Sequence, residues 1–195
     1  MFFSRRSLIK ALSATAAGTA LRLVPLAAAE KAHRMVNAEK TASSAGSYVP
    51  KFFSAPQYET LRALCQAIIP PDQESGGAIE AGTPEFIDLL TSENKELKRQ
   101  LGGGIMWLDS TCSERYGHSY LDCKAEERKE ILDVIAFRKN AEASPRLRPG
   151  VEFFCTLRKF TADGFFTSEI GMKYLGYVGN TYLTEFPGCP PVPEN

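Results

Sequence analysis

Apolar residues recur at helical spacing in five stretches of this chain, and no segment sustains the alternation of a half-buried strand. Ser54 is placed to cap a helix, with Pro56 in the first turn and Gln57 three positions on to complete a capping box. Leu61, Leu64, Cys65, Ile68 and Ile69 then share one face, and Pro70-Pro71 ends the run. Thr83-Pro84-Glu85 opens a second, shorter helix that carries Phe86, Ile87, Leu89 and Leu90. A third extends from about Ser92 to Tyr116, with Leu97, Leu101, Ile105, Leu108 and Cys112 on one side. Gly102-Gly103-Gly104 interrupts it, at a cost of about 2–3 kcal/mol in helix propensity. A fourth follows Asp122 and presents Ile131, Val134, Ile135 and Arg138. Ser144-Pro145 to Pro149-Gly150 reads as a loop, and a fifth helix carries Phe153, Phe154, Leu157, Phe160 and Thr161. The pattern predicts an all-α fold, a small helical domain of about five helices over residues 54–170.

The two ends of the chain break this pattern. Ser4-Arg5-Arg6-Ser7-Leu8-Ile9-Lys10 resembles the twin-arginine export signal of bacteria. A weakly apolar run from Leu8 to Ala20 and the small-residue site Ala27-Ala28-Ala29 complete a leader over residues 1–29, with cleavage defined by Ala27 and Ala29. The expected location is the periplasm, reached through the twin-arginine translocase. Residues 30–53, rich in Ala, Ser and Lys, read as a solvated linker. Beyond residue 170 glycine recurs among aromatics and proline then dominates, poor material for a regular element. Residues 171–195 are therefore expected to form an irregular arm. Tyr174, Tyr177, Asn180, Tyr182 and Phe186 would either cap the domain or lie on a partner, where tyrosine is favoured for its apolar ring and wettable hydroxyl.

Charge and motifs exclude more than they assign. The whole chain carries 23 basic and 23 acidic residues, and removing the leader takes Arg5, Arg6, Lys10 and Arg22 with no acid. The remainder is acidic, which argues against nucleic acid or an anionic membrane surface as partner. The sequence has no Cys-x-x-Cys-His for covalent haem, no Gly-x-Gly-x-x-Gly after a strand, no phosphate loop and no Gly-x-Ser-x-Gly elbow. No catalytic set stands out, and no cofactor or metal is expected in the chain itself. His118 reads as a turn residue between two helices. Cys112, His118 and Cys123 could be drawn together as a metal site, but their spacing fits no zinc pattern and a fourth ligand is not apparent. Five cysteines are an odd number for an exported chain. Cys112 and Cys123 flank the expected turn and form a candidate disulfide, Cys65 and Cys155 are a second pair or two buried thiols, and Cys189 in the tail is the best placed to pair with another chain.

Four segments together resemble the gluconate 2-dehydrogenase subunit 3 family: the leader, Tyr58-Glu59-Thr60-Leu61-Arg62-Ala63-Leu64 to Ile68-Ile69-Pro70, Gly82-Thr83-Pro84-Glu85-Phe86-Ile87-Asp88, and Tyr174-Leu175-Gly176-Tyr177-Val178-Gly179-Asn180 to Phe186-Pro187-Gly188-Cys189-Pro190. The resemblance implies a small, non-catalytic subunit of a periplasmic sugar or sugar-acid dehydrogenase. In such complexes a large subunit of the glucose-methanol-choline type carries FAD and the substrate site, and a cytochrome subunit with haem c often takes the electrons onward. It further implies that Arg5 and Arg6 address the complex for export and that the tail grips the flavoprotein. Two other readings use the same residues: an exported adaptor for another envelope enzyme, or a small redox or metal protein built around Cys112, His118 and Cys123.

Overall fold

The structure is a computed structural model and describes residues 25–43 and 48–179. Its helices are α1 (Leu26–Ala42), α2 (Ala55–Ile68), α3 (Thr83–Glu93), α4 (Gly103–Tyr116), α5 (Ala125–Ile135), α6 (Arg138–Ala143), α7 (Arg148–Phe166) and α8 (Glu169–Tyr174). No strand occurs among the described residues, so the all-α expectation holds. The apolar faces read from the sequence are the core. Leu61, Leu64 and Cys65 of α2, Phe86, Ile87 and Leu89 of α3, and Ile105, Leu108 and Cys112 of α4 are all buried, as are Ile131 and Ile135 of α5.

The centre of the fold is α7. Val151, Phe153, Leu157, Phe160 and Phe165 bury its inner face, and it packs against α2, α3, α4, α5, α6 and α8. Each fully buried phenylalanine or leucine here contributes about 1.5–3 kcal/mol of transfer free energy. Proximity to α4 is achieved by omitting side chains. A Cβ on Gly104 would lie 2.0 Å from the Phe153 ring, and one on Gly150 would lie 2.1 Å from the Trp107 ring. Glycine on each helix therefore receives an aromatic ring from the other. This contact offsets the helix-propensity cost of the glycine run.

Four sequence expectations need correction. Residues 30–53 are not a solvated linker: most of α1 lies within them, and Ala29, Ala32 and Val36 are buried where α1 packs on α3. Its apolar stripe is mostly alanine, the strongest helix former but a weak hydrophobic signal. The expected third helix begins a little later and is three consecutive segments, an α-helical turn over Lys95–Leu97, a π turn and α4. α3 ends at Glu93, Asn94 restarts the chain by accepting hydrogen bonds from the amides of Glu96 and Leu97, and a π-helical segment over Lys98–Gly102 leads into α4. Pro149 and Gly150 belong to the first turn of α7 rather than to a loop, consistent with proline's tolerance there. The arm begins later than residue 171, because Ser168 caps α8 by accepting from the Gly171 amide at 3.1 Å.

The capping box before α2 forms as expected, with the Ser54 amide donating to Gln57 Oε1 at 3.1 Å.

Candidate functional site: the N-terminal anchorage, the thiol cluster and the arm

The segment Gly82–Asp88 does specific work at each position. Gly82 takes the left-handed backbone (φ 69°) that turns the chain into α3, and Pro84 fits the first helical turn without an amide to satisfy. Glu85 pairs with Lys40 of α1 at 2.8 Å. Phe86 stacks on the His33 ring of α1, with centroids 4.8 Å apart. Asp88, fully buried, accepts hydrogen bonds from the Tyr48 hydroxyl (2.8 Å) and from the amides of Lys51 (2.7 Å), Phe52 (3.1 Å) and Phe53 (3.1 Å). A carboxylate with this many donors is well solvated by the protein itself. Burial, then the hydrogen bond to Asp88, pushes the Tyr48 phenol far above its ordinary range, so it stays a donor.

These contacts all hold one thing. They fasten α1 and the strap at residues 48–53 to the helical core. His33 Nε2 adds a contact to Thr167 Oγ1 at 3.0 Å, beyond the end of α7. The His33 pKa is lowered, first by burial, while a hydrogen bond to the Gly164 carbonyl opposes the shift. A cleft of about 420 Å³ opens between α1 and the α7–α8 corner, lined by residues that include His33, Arg34, Glu80 and Thr167. The signal Asp88 gave in the sequence was an acid inside the apolar run Phe86-Ile87-Asp88-Leu89. His33 and Lys40 gave none, because they lay in a segment read as linker.

At the opposite end, His118 does occupy the turn between α4 and α5. Its Nε2 lies 3.2 Å from Glu127 Oε2, and Glu127 also accepts from the Lys124 amide at 2.8 Å. Both contacts hold its carboxyl below the usual range, the backbone hydrogen bond most strongly. Cys112 and Cys123 are both buried and are free thiols, near enough for each to perturb the other's ionisation. The candidate disulfide is therefore a neighbouring thiol pair in this structure. Burial pushes the Cys112 thiol up to about 12 and raises Cys123 as well. Cys65 and Cys155 do not pair either; the Cys65 thiol contacts Thr161 Oγ1 at 3.6 Å.

The expected site residues divide as follows. Arg5, Arg6, Asn180, Tyr182, Phe186 and Cys189 lie outside the described residues. Ala27 and Ala29 sit in the first turns of α1, with Ala27 exposed and Ala29 wholly buried. Tyr174 is half-buried at the end of α8. Past it, Leu175, Tyr177 and Val178 are exposed (47%, 45% and 88%), a short apolar run at the head of the arm. No helix of the described residues is long and apolar enough to cross a membrane.

A family model described as "Gluconate 2-dehydrogenase subunit 3" matches residues 55–188. Its span begins at the first residue of α2 and covers the thiol cluster, α7 and most of the arm. No match emerges among curated proteins or among solved structures.

Proposed function

The chain belongs to the gluconate 2-dehydrogenase subunit 3 family, and from that premise we propose that it is the accessory, non-catalytic subunit of a periplasmic sugar or sugar-acid dehydrogenase. Its partner is an FAD-containing subunit of the glucose-methanol-choline type, on which hydride passes from the substrate carbon to the flavin. A haem c subunit is the onward electron acceptor. This chain assists maturation of the flavoprotein and carries it through the twin-arginine translocase, addressed by Arg5 and Arg6. The supporting observation is the exposed run Leu175, Tyr177 and Val178, which lies within the family-matched segment and precedes the aromatic and proline-rich tail in sequence. Tyr182, Phe186 and Cys189 extend the same grip.

The N-terminal anchorage suits this role. A signal that stays joined to a docked helix keeps the address physically coupled to the folded cargo. Peptide-processing sites are read in extended form, so cleavage after Ala29 requires the first turns of α1 to unwind, a local opening typical of chain ends.

The test is co-expression with a flavoprotein subunit that lacks a leader, scoring dehydrogenase activity in the periplasm. Deleting residues 175–195 is expected to abolish flavoprotein export while helical circular dichroism of the shortened chain persists. Replacing Arg5 and Arg6 with lysine should strand both subunits in the cytoplasm. Full periplasmic activity with the truncated chain would overturn the escort role.

A further inference from the structure

The turn between α4 and α5 supplies what the sequence spacing lacked. His118, Cys123 and Glu127 offer ligand atoms that all lie within 4.8 Å of one another. Cys112, buried in the last turns of α4, neighbours Cys123 and is the nearest further thiol to this trio. Glu127, on the polar face of α5 in sequence terms, is turned toward this point by the Lys124 amide. We propose that Cys112, His118, Cys123 and Glu127 form a binding site for one zinc-class divalent cation.

The donor set is two sulfurs, one imidazole nitrogen and one carboxylate oxygen, a combination suited to tetrahedral zinc. Tetrahedral bonds of about 2.0–2.3 Å require ligand atoms about 3.3–3.8 Å apart. The His118–Glu127 pair already stands at 3.2 Å, the other separations among His118, Cys123 and Glu127 need to contract by about an ångström or less, and Cys112, outside that trio, has to approach from α4 as the fourth ligand. Burial is graded in the right direction. The thiols form the floor, while the His118 and Glu127 side chains remain 35% and 23% exposed and leave an entry path. Second contacts orient the ligands: the Lys124 amide holds Glu127, and the Tyr120 amide is fixed by Asp109 Oδ1 at 3.1 Å, which shapes the loop between the ligands. Two thiolates, one carboxylate and a divalent ion leave one net negative charge. Arg128 faces it from α5, anchored on the Leu121 carbonyl and stacked over Tyr120 at 5.4 Å. Binding would release a proton from each thiol and staple the end of α4, the turn and the start of α5 into one unit.

The test uses the purified full chain with its thiols reduced, titrated with Co(II) and then with zinc. One equivalent of Co(II) per chain should produce tetrahedral d–d bands and a sulfur-to-metal charge-transfer band, and zinc should displace both. Zinc should also protect Cys123 from thiol labelling and raise the melting temperature. Cys123→Ser is expected to lose at least about half of the charge-transfer intensity, and Cys112→Ser with Cys123→Ser all of it. His118→Gln and Glu127→Gln, on half-exposed side chains whose loss spares the core, should each weaken binding at least about tenfold and cancel the melting-temperature rise. Absence of stoichiometric metal on the reduced chain overturns the site, as does binding unaffected by these substitutions. Isolation of the native chain with Cys112 and Cys123 already joined overturns it too, since a disulfide removes both thiolate ligands. None of these outcomes bears on the escort role, which rests on export.

Discussion

Two contacts hold this molecule together by opposite means. Where α1 and the 48–53 strap meet α3, the joint is polar: a buried carboxylate, an ion pair and an imidazole stack. Where α4 crosses α7, the joint consists of missing atoms, with Gly104 and Gly150 each admitting an aromatic ring. The polar joint depends on acceptors for donors that are already out of water, so removing one partner is costly. The steric joint depends on volume, so adding a partner is costly. A conservative substitution thus means different things at the two places.

The comparison is broken most directly at Asp88. Asp88→Ala leaves three amides and the Tyr48 hydroxyl without their acceptor. We expect a loss on the order of 3–5 kcal/mol in urea unfolding, since each orphaned donor costs about 1–3 kcal/mol before water recovers part of it. Asp88→Asn, which keeps one acceptor oxygen, should cost distinctly less; equal costs would deny the carboxylate its role as acceptor for the strap.

The steric joint is sharpened by two neighbouring glycines. Gly104→Ala forces a methyl into the Phe153 ring and should cost about 1–3 kcal/mol or more. Gly103→Ala, one residue earlier on a helical backbone with open space around it, should stabilise by about 0.5–1 kcal/mol. Thermal unfolding of the pair checks the sign change. If both substitutions destabilise, the glycine run serves the backbone rather than the crossing.

The smallest expected effect is a pH dependence at the polar joint. The His33 pKa is lowered in the folded protein, so the unfolded chain takes up the proton first as pH falls. The stability tied to neutral His33 is whole above the unfolded value of about 6.5. It declines as pH drops below that value, until the folded pKa is passed. The urea midpoint should therefore fall between about pH 7 and pH 5, and His33→Phe, which keeps the stack on Phe86, should flatten that slope.

Helix positions were readable because their apolar residues are large and periodic. Leu61, Leu64 and Cys65 or Phe153, Leu157 and Phe160 define a face that can only point inward. α1 escaped this reading because Ala29, Ala32 and Val36 carry little hydrophobic weight, and only their contact with α3 marks them as core. The π-helical segment before α4 was equally hidden, since a single π turn leaves no distinctive residue pattern in the sequence.

The linear chain by itself determined the family, the all-α class and most of the buried faces, because these depend on residue type and spacing within single elements. Tertiary structure decided that Asp88 gathers the strap, that His33 and Lys40 are anchors, and that Glu127 joins His118 and Cys123. Each of these depends on residues far apart in sequence or on different elements, and spacing along one element carries no record of what a second element brings to it.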